Sequence, residues 1–397
     1  MISEKMKKMV ENSSAIREMF EEGNRLSEIY GKENVFDFSL GNPNLPPPES
    51  VKNAIEDVVT HTDERELHGY TESNSGYTEV REKIAESLNG RFDMNFTGRN
   101  IVMTCGAAGG LNVILKAMLN PGEEVIVFSP YFGEYRSYVS NFDGILVEVK
   151  CHMENFLPDM NLFREKITAD TKAVIINNPN NPSGVVYDEN TLKEISGILQ
   201  EKSRIYGTDI YLISDEPYRE IVYDKKQVPY VPKYYDNSIV VYSYSKSLSL
   251  PGERIGYVAV PDSVSDSDEL LQAANIANRI LGFVNAPTLQ QKVIAQCLDE
   301  KTDISFYKRN RDTLMKELTE LGFEYVYPEG AFYLFMKSPE KDEKEFCRRA
   351  KKYNILMVPG SSFSCPGYVR LAYCVSYETI INSFEAFKSL AGEYFVK

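Results

Sequence analysis

Apolar and polar positions along the chain fall into three regimes. Residues 1–36 read as helix: Ile16, Met19, Phe20, Leu26 and Ile29 recur near helical spacing, with Ser13 or Ser14 placed as cap. A short strand, FDFSL, then runs into a proline-rich loop carrying Gly41. Segments 49–60 and 76–92 read as helices, and the loop between them, LHGYTESNSGY, carries Tyr70. From about residue 100 to 260 the pattern changes. Short apolar runs (NIVMTCG, EEVIVFSP, ILVEV, AVIINNP, IYLISDEP, IVVYSYS) alternate with helical ones such as GGLNVILKAML, YRSYVSNF and LKEISGILQEKSRIY. Apolar strands alternating with helices predict an α/β fold with a mostly parallel sheet covered on both faces. After residue 262 two long helical tracts are predicted, SDSDELLQAANIANRILGF and QQKVIAQCLDEKTDISFYKRNRDTLMKELTELG. A smaller α+β region follows, closed by an amphipathic helix, TIINSFEAFKSLAGEYF. The predicted division is an N-terminal segment 1–48, a large domain 49–285 and a small domain 286–397.

One regularity of the middle region bears on function. Strand after strand ends in small or polar residues: Cys105-Gly106, Ser129-Pro130-Tyr131, Asn177-Asn178-Pro179, Asp215-Glu216-Pro217 and Ser243-Tyr244-Ser245-Lys246. In open α/β sheets ligands bind beyond the carboxyl ends of the strands, so these ends are expected to converge on one crevice.

Composition narrows the chemistry. The 397 residues are 43% hydrophobic and carry a net charge of −14, which argues against nucleic-acid binding and against docking on anionic membranes. No apolar run reaches membrane-spanning length, and the basic N-terminus lacks the apolar segment of a secretory signal. The six cysteines form no C-x-x-C pair, so reduced thiols in the cytoplasm are expected. Only three histidines occur, His61, His68 and His152, with no metal-ligand spacing. That scarcity of histidine points to chemistry supplied by a cofactor.

Lys246 is the candidate nucleophile. It sits among Ser243, Ser245, Ser247 and Ser249, just past the apolar run Ile239-Val240-Val241. Desolvation at a buried strand end would lower its pKa toward the range where the amine is reactive, although taken alone it reads more readily as a solvated loop lysine. It has company in chain order: Gly106-Ala107-Ala108 opening a helix, Pro130-Tyr131-Phe132, Asn-Asn-Pro-Ser-Gly at 180–184, Asp215 with Tyr218, Arg254, and Arg370. This constellation resembles the class I aminotransferases, pyridoxal 5'-phosphate enzymes of the aspartate aminotransferase fold, over nearly the whole chain.

The resemblance implies a role for each residue. Lys246 would hold the cofactor as a Schiff base and move the substrate's α-proton. Asp215 would pair with the protonated ring nitrogen. Tyr218 and Asn181 would hydrogen-bond the ring oxygen, and Phe132 would stack on the ring. Backbone N–H groups of Gly106, Ala107 and Ala108, the hydroxyls of Ser243 and Ser245, and Arg254 would hold the phosphate. Ala107 and Ala108 stand where relatives often carry a hydroxyl or a lysine. Arg370 would clamp the substrate α-carboxylate, and Gly41 would let backbone approach the substrate. The helix SAIREMFEEG resembles a segment that covers the active site in one subgroup. The resemblance also implies a homodimer, with Tyr70 reaching the partner's phosphate. Arg279 is the candidate for a distal carboxylate of an acidic donor. A β-eliminating lyase of the same fold, or a non-catalytic regulatory relative, stays open at this point.

Overall fold

Two amphipathic helices, Glu4–Glu11 and Ala15–Tyr30, open the chain where the sequence pattern predicts one. The computed structural model describes residues 2–11 and 15–395, so the expected cap at Ser13 or Ser14 lies outside the described residues. The helices lead into β1 (Phe36–Asp37). The apolar runs of the middle region then become β2 (Ile101–Thr104), β3 (Glu124–Ser129), β4 (Ile145–Lys150), β5 (Thr171–Asn177), β6 (Tyr211–Asp215), β7 (Ser238–Ser243) and β8 (Gly256–Ala259).

Among the described residues these seven strands, β2 to β8, form one sheet in the order β2-β8-β7-β6-β5-β3-β4. The pairs from β4 across to β7 are parallel, and β8 runs antiparallel to both β2 and β7. The reading of strand-like runs does not single out β8. The connection from β7 holds only the single helical turn Tyr244–Ser247 and no crossover helix, and β8 returns antiparallel. Successive residues of a strand serve opposite faces. Val125 and Val127 pack with the helices Gly106–Met118 and Ser267–Ile280, whereas Ile126 and Phe128 pack with the helix Glu189–Tyr206. Both faces are therefore apolar, which explains runs with no polar alternation. With β2 and β7 both antiparallel to β8, the carboxyl ends at Thr104, Ser129, Asn177, Asp215 and Ser243 lie along one edge.

The second lobe contains β9 (Tyr325–Val326), β10 (Tyr333–Lys337), β11 (Ile355–Leu356), β12 (Val358–Pro359) and β13 (Tyr368–Ala372). β12, β13, β10 and β9 form an antiparallel sheet in that order, while β11 pairs in parallel with β1. Phe38 extends this seam: its N–H donates to Leu356 O (2.9 Å) and its C=O accepts from Ala372 N (2.8 Å). The N-terminal segment is thus fastened to the second lobe, and it carries Ser39, Leu40 and Gly41 over the strand ends of the first.

Two predicted helices are each divided. The tract after Asn285-Ala286-Pro287 forms Thr288–Ile294 and Ile304–Glu320, the second started by Asp303, whose side chain accepts from Ser305 N. The C-terminal helix forms Tyr377–Asn382 and Phe384–Gly392, separated at Ser383, whose hydroxyl bonds to Ile380 O at 2.7 Å. Ala286, Val293, Ile294 and Cys297 share a core with Val51, Ala54 and Ile84 of the first lobe. Among the described residues, no helix is long and apolar enough to cross a membrane.

Candidate active site

At the end of β7 the Ser243 hydroxyl accepts from Ser245 N–H (3.2 Å) and lies 2.8 Å from Ser245 Oγ. This cap turns the chain into a single helical turn, Tyr244–Ser247, which holds Lys246 at the sheet edge. Lys246 Nζ donates to Gly41 O at 2.7 Å and lies 5.5 Å from the centroid of the Phe332 ring. Burial, reinforced by the nearby charges of Arg370 and Arg254, pulls its ammonium down to about 8.

Asp215 ends β6 fully within the protein. Its Oδ2 accepts from the Tyr135 hydroxyl at 2.5 Å and, at longer range, from Asn177 Nδ2 at 3.4 Å. Its Oδ1 is buried without a hydrogen-bond partner. Burial raises this carboxyl to about 7, the hydrogen bond from Tyr135 opposing and the charge of Glu216 adding to the effect. Glu216 itself turns away, into an ion pair with buried Arg219.

The helix Gly106–Met118 starts at the same edge. Gly106 is in the left-handed region (φ 72°), and a Cβ there would crowd the Arg254 guanidinium at 2.8 Å. Arg254 donates to Pro251 O (2.9 Å) and Cys105 O (3.2 Å), which aims its fork across the helix start beside Ser243 and Ser245. Backbone N–H groups, two hydroxyls and a guanidinium together make an anion cradle.

The second lobe contributes Arg370 from β13. It is buried, with Nη1 donating to Asn181 Oδ1 (3.0 Å), Nη2 donating to Ser39 O (2.6 Å) and Nε unpartnered. Its guanidinium lies over the rings of Tyr333 (4.5 Å) and Phe363 (4.8 Å). Tyr333 from β10 and Tyr218 from the first lobe bring their hydroxyls to 2.8 Å. A methyl group at Gly41 would overlap the Tyr333 hydroxyl, so only glycine fits there.

A cavity of about 280 Å³ joins these groups. Its lining includes Gly41, Ala107, Ala108, Phe132, Asn181, Asp215, Tyr218, Ser243, Ser245, Lys246, Arg254 and Arg370. Gly106 lies just behind it, against Arg254. Tyr70 and Arg279 do not line it; both are exposed, Tyr70 at 85%. Sequence reasoning gives no site role to Tyr333, Asn177 or Tyr138, which line the cavity, or to Tyr135 behind it. Asn177 carries a signal, as the last residue of a strand whose end is flagged. Tyr135 lies in the first turn of the helix Glu134–Asn141, three residues after Phe132, its N–H donating to Phe132 O at 3.1 Å, so closeness in sequence to a flagged residue is its signal. Tyr333 carries none, because its place depends on the two lobes meeting.

The donor set fits pyridoxal phosphate. Buried Oδ1 of Asp215 awaits a proton donor, the cradle suits a phosphate, Lys246 offers an amine, and Arg370 Nε awaits an anion. Such a site on this fold defines an aminotransferase that uses pyridoxal phosphate. The family model for class I and II aminotransferases matches residues 33–387, and the chain belongs to that family. It is 32% identical to a probable aspartate/prephenate aminotransferase of Aquifex aeolicus, covering 91% of this chain and 92% of that one. It is 31% identical to the aspartate aminotransferase of Thermotoga maritima, over 89% and 90%. An aminotransferase of Eubacterium rectale superposes with a TM-score of 0.96 at 48% identity, covering all of both chains. The aspartate aminotransferase of Thermus thermophilus, solved with maleate, superposes at 0.87 with 28% identity, over 98% of this chain and 99% of that one.

Proposed function

We propose that this aminotransferase moves an amino group from an acidic L-amino acid to a 2-oxo acid in the cavity under Lys246. The carrying observation is that Asp215, Arg370 and Lys246 line one cavity, and that Asp215 Oδ1 and Arg370 Nε are buried without a hydrogen-bond partner. When bound, pyridoxal phosphate supplies an electron sink for the substrate's α-carbon. Asp215 would accept the ring N–H, Tyr218 and Asn181 would serve the ring oxygen, Phe132 would cover the ring, and Arg254 with Ser243, Ser245 and the backbone of Gly106 to Ala108 would hold the phosphate. Arg370 orients the α-carboxylate. Lys246 would carry the substrate's α-proton at Nζ, a task suited to an amine lowered to about 8.

The acidic donor rests on the relatives named as aspartate aminotransferases, on the maleate in the Thermus structure and on Arg279. In the cavity the basic side chains Lys246, Arg254 and Arg370 each have a task already, so a distal carboxylate needs another cation. We place it on Arg279 from a second protomer, which implies a homodimer whose sites are completed across the interface by Tyr70. The helix of Arg279 is tied to the Tyr70 loop through Asn278 Nδ2 to Asn74 O (2.8 Å). For the lobes, the packing of Ala286 to Cys297 supports a division near 297 rather than 285, with 1–48 moving with the second lobe. Six unpaired cysteines support a reducing, cytoplasmic setting.

A panel of amino donors against 2-oxoglutarate tests the reading. Aspartate and glutamate are expected to turn over fastest, with stoichiometric 2-oxo acid formed. Phenylalanine turned over as fast as aspartate would remove the acidic donor. Ammonia and pyruvate from cysteine-like donors, without need of an oxo acid, would replace transamination by β-elimination.

A further inference from the structure

Asp215 is the most exposed to misplacement of the cavity's groups, because burial works against its charge. Facing its carboxylate are Tyr135 and Tyr138 from the helix Glu134–Asn141, Asn177 from β5, and Glu216 and Tyr218 from its own loop. Of these, Tyr135 alone makes a short bond, 2.5 Å to Oδ2; the Asn177 contact is 3.4 Å, and Glu216 raises rather than lowers the cost of the anion. Tyr135 is itself completely enclosed, and burial holds its phenol well above its ordinary value, so it is a donor throughout the working range. The enclosure also fixes direction: with Oδ2 occupied on the Tyr135 side, Oδ1 is the oxygen left for the cavity.

We propose that Tyr135 is a positioning residue that keeps Asp215 ionised and aims its Oδ1 at the ring nitrogen of pyridoxal phosphate. By donating one hydrogen bond to a carboxylate and none to the cofactor, it maintains the proton on that nitrogen from behind. The proposal rests on the reading of the cavity given above, in which Asp215 meets the ring.

The test compares wild type, Tyr135→Phe and Asp215→Asn, each loaded with pyridoxal phosphate labelled with ¹⁵N in the ring. The ring-nitrogen chemical shift reports protonation directly, and dissociation constants are measured in parallel with the 1-deaza analogue, which has no ring nitrogen. Wild type is expected to show a protonated ring. Tyr135→Phe should shift toward the unprotonated value and bind the natural cofactor roughly tenfold more weakly, while binding the deaza analogue as wild type does. A merely structural role would weaken both ligands alike. A Tyr135→Phe protein with wild-type shift and affinity overturns the proposal while Asp215→Asn still loses the ring proton. If instead wild type and Asp215→Asn give the same shift, the assignment of Asp215 to the ring falls, and this proposal with it. Should Phe prevent folding, Tyr135→His, which retains an N–H donor, must keep the ring protonated; an unprotonated ring in that variant would equally overturn it.

Discussion

Asn181 Oδ1 lies 3.0 Å from Arg370 Nη1, and this bond joins the loop after β5 in the first lobe to β13 in the second. The same asparagine is fixed from behind, its N–H donating to Asn177 Oδ1 at 2.7 Å, and Asn177 in turn donates to the backbone of Asp215 at 2.9 Å. The residue proposed for the substrate carboxylate and the residue proposed for the ring nitrogen therefore belong to one hydrogen-bonded chain. A shift in either lobe is felt by both.

Arg370→Leu is expected to raise KM for every amino acid donor, because the variant loses a charge-assisted pair while keeping the rest of the cavity. Removing such a pair costs about 2–4 kcal/mol, tens- to hundreds-fold or more in kcat/KM. Cofactor affinity should change little. Steady-state kinetics and a cofactor titration check both halves, and unchanged kinetics would reduce Arg370 to a structural role.

Lys246 gives a prediction in pH. Burial holds its ammonium near 8, so the free amine accumulates as pH rises through that value rather than through 10.5, the ordinary lysine value. Covalent capture of pyridoxal phosphate by the apoenzyme, followed by stopped-flow absorbance, should accelerate from pH 6.5 and level off above about 9. Borohydride reduction and peptide mapping should place the pyridoxyl tag on Lys246. A rate still climbing steeply at pH 10, or a tag on another lysine, contradicts the assignment.

These groups differ in how far the sequence alone could reach them. Lys246, Asp215, Ser243 and Ser245 are legible because each sits at or just past the end of an apolar run, and parallel strands put such ends on one edge. The role of Arg370 is legible only through the resemblance, since its apolar neighbours Val369 and Leu371 argue against an exposed strand arginine but name no ligand. Tyr333 is illegible: its hydroxyl meets Tyr218 across 115 positions of sequence, and no periodicity encodes that meeting. The broken helices failed for a different reason. Apolar spacing continues across both breaks, yet the first helix ends at Ile294 before Asp303 caps the next, and the Ser383 hydroxyl bonds back to Ile380 O.

Asp215 gives a stability prediction of opposite sense to its functional one. Its folded-state carboxyl is raised to about 7, so the native apoprotein holds that proton more tightly than the unfolded chain does. That contribution is complete below the ordinary aspartate value and is lost as pH rises through 7. At pH 8 the buried anion therefore costs stability, and Asp215→Asn should make the apoprotein more stable by about 1–3 kcal/mol, the gain shrinking toward pH 5. The same variant should bind pyridoxal phosphate more weakly. Thermal melts of apoprotein at pH 5 and pH 8, beside cofactor titrations, test the two together; a variant less stable than wild type at pH 8 would refute the linkage.

Tyr70 carries the prediction about assembly. Its loop is well anchored, Asn74 Nδ2 donating to Val284 O at 2.7 Å and Thr71 Oγ1 donating to Ser73 O at 2.7 Å, yet its ring stands 85% exposed. Ile276 and Ile280, on the helix tied to that loop, are also more than half exposed. An exposed aromatic ring on an anchored loop, with two exposed isoleucines on the helix bonded to that loop, supports the dimer proposed above. If Tyr70 completes the other protomer's phosphate cradle, two crippled variants should rescue one another. Lys246→Ala supplies an intact Tyr70, Tyr70→Ala supplies an intact Lys246, and a hybrid dimer then contains one complete site. Equal mixing with subunit exchange gives hybrids as half the dimers, so activity should recover to about a quarter of wild type. A tyrosine that served its own subunit would leave every Lys246-bearing site without its phenol, and mixing would recover nothing. Affinity-tagging one variant and recovering the untagged other with it demonstrates hybrids, and so separates that outcome from a failure to exchange.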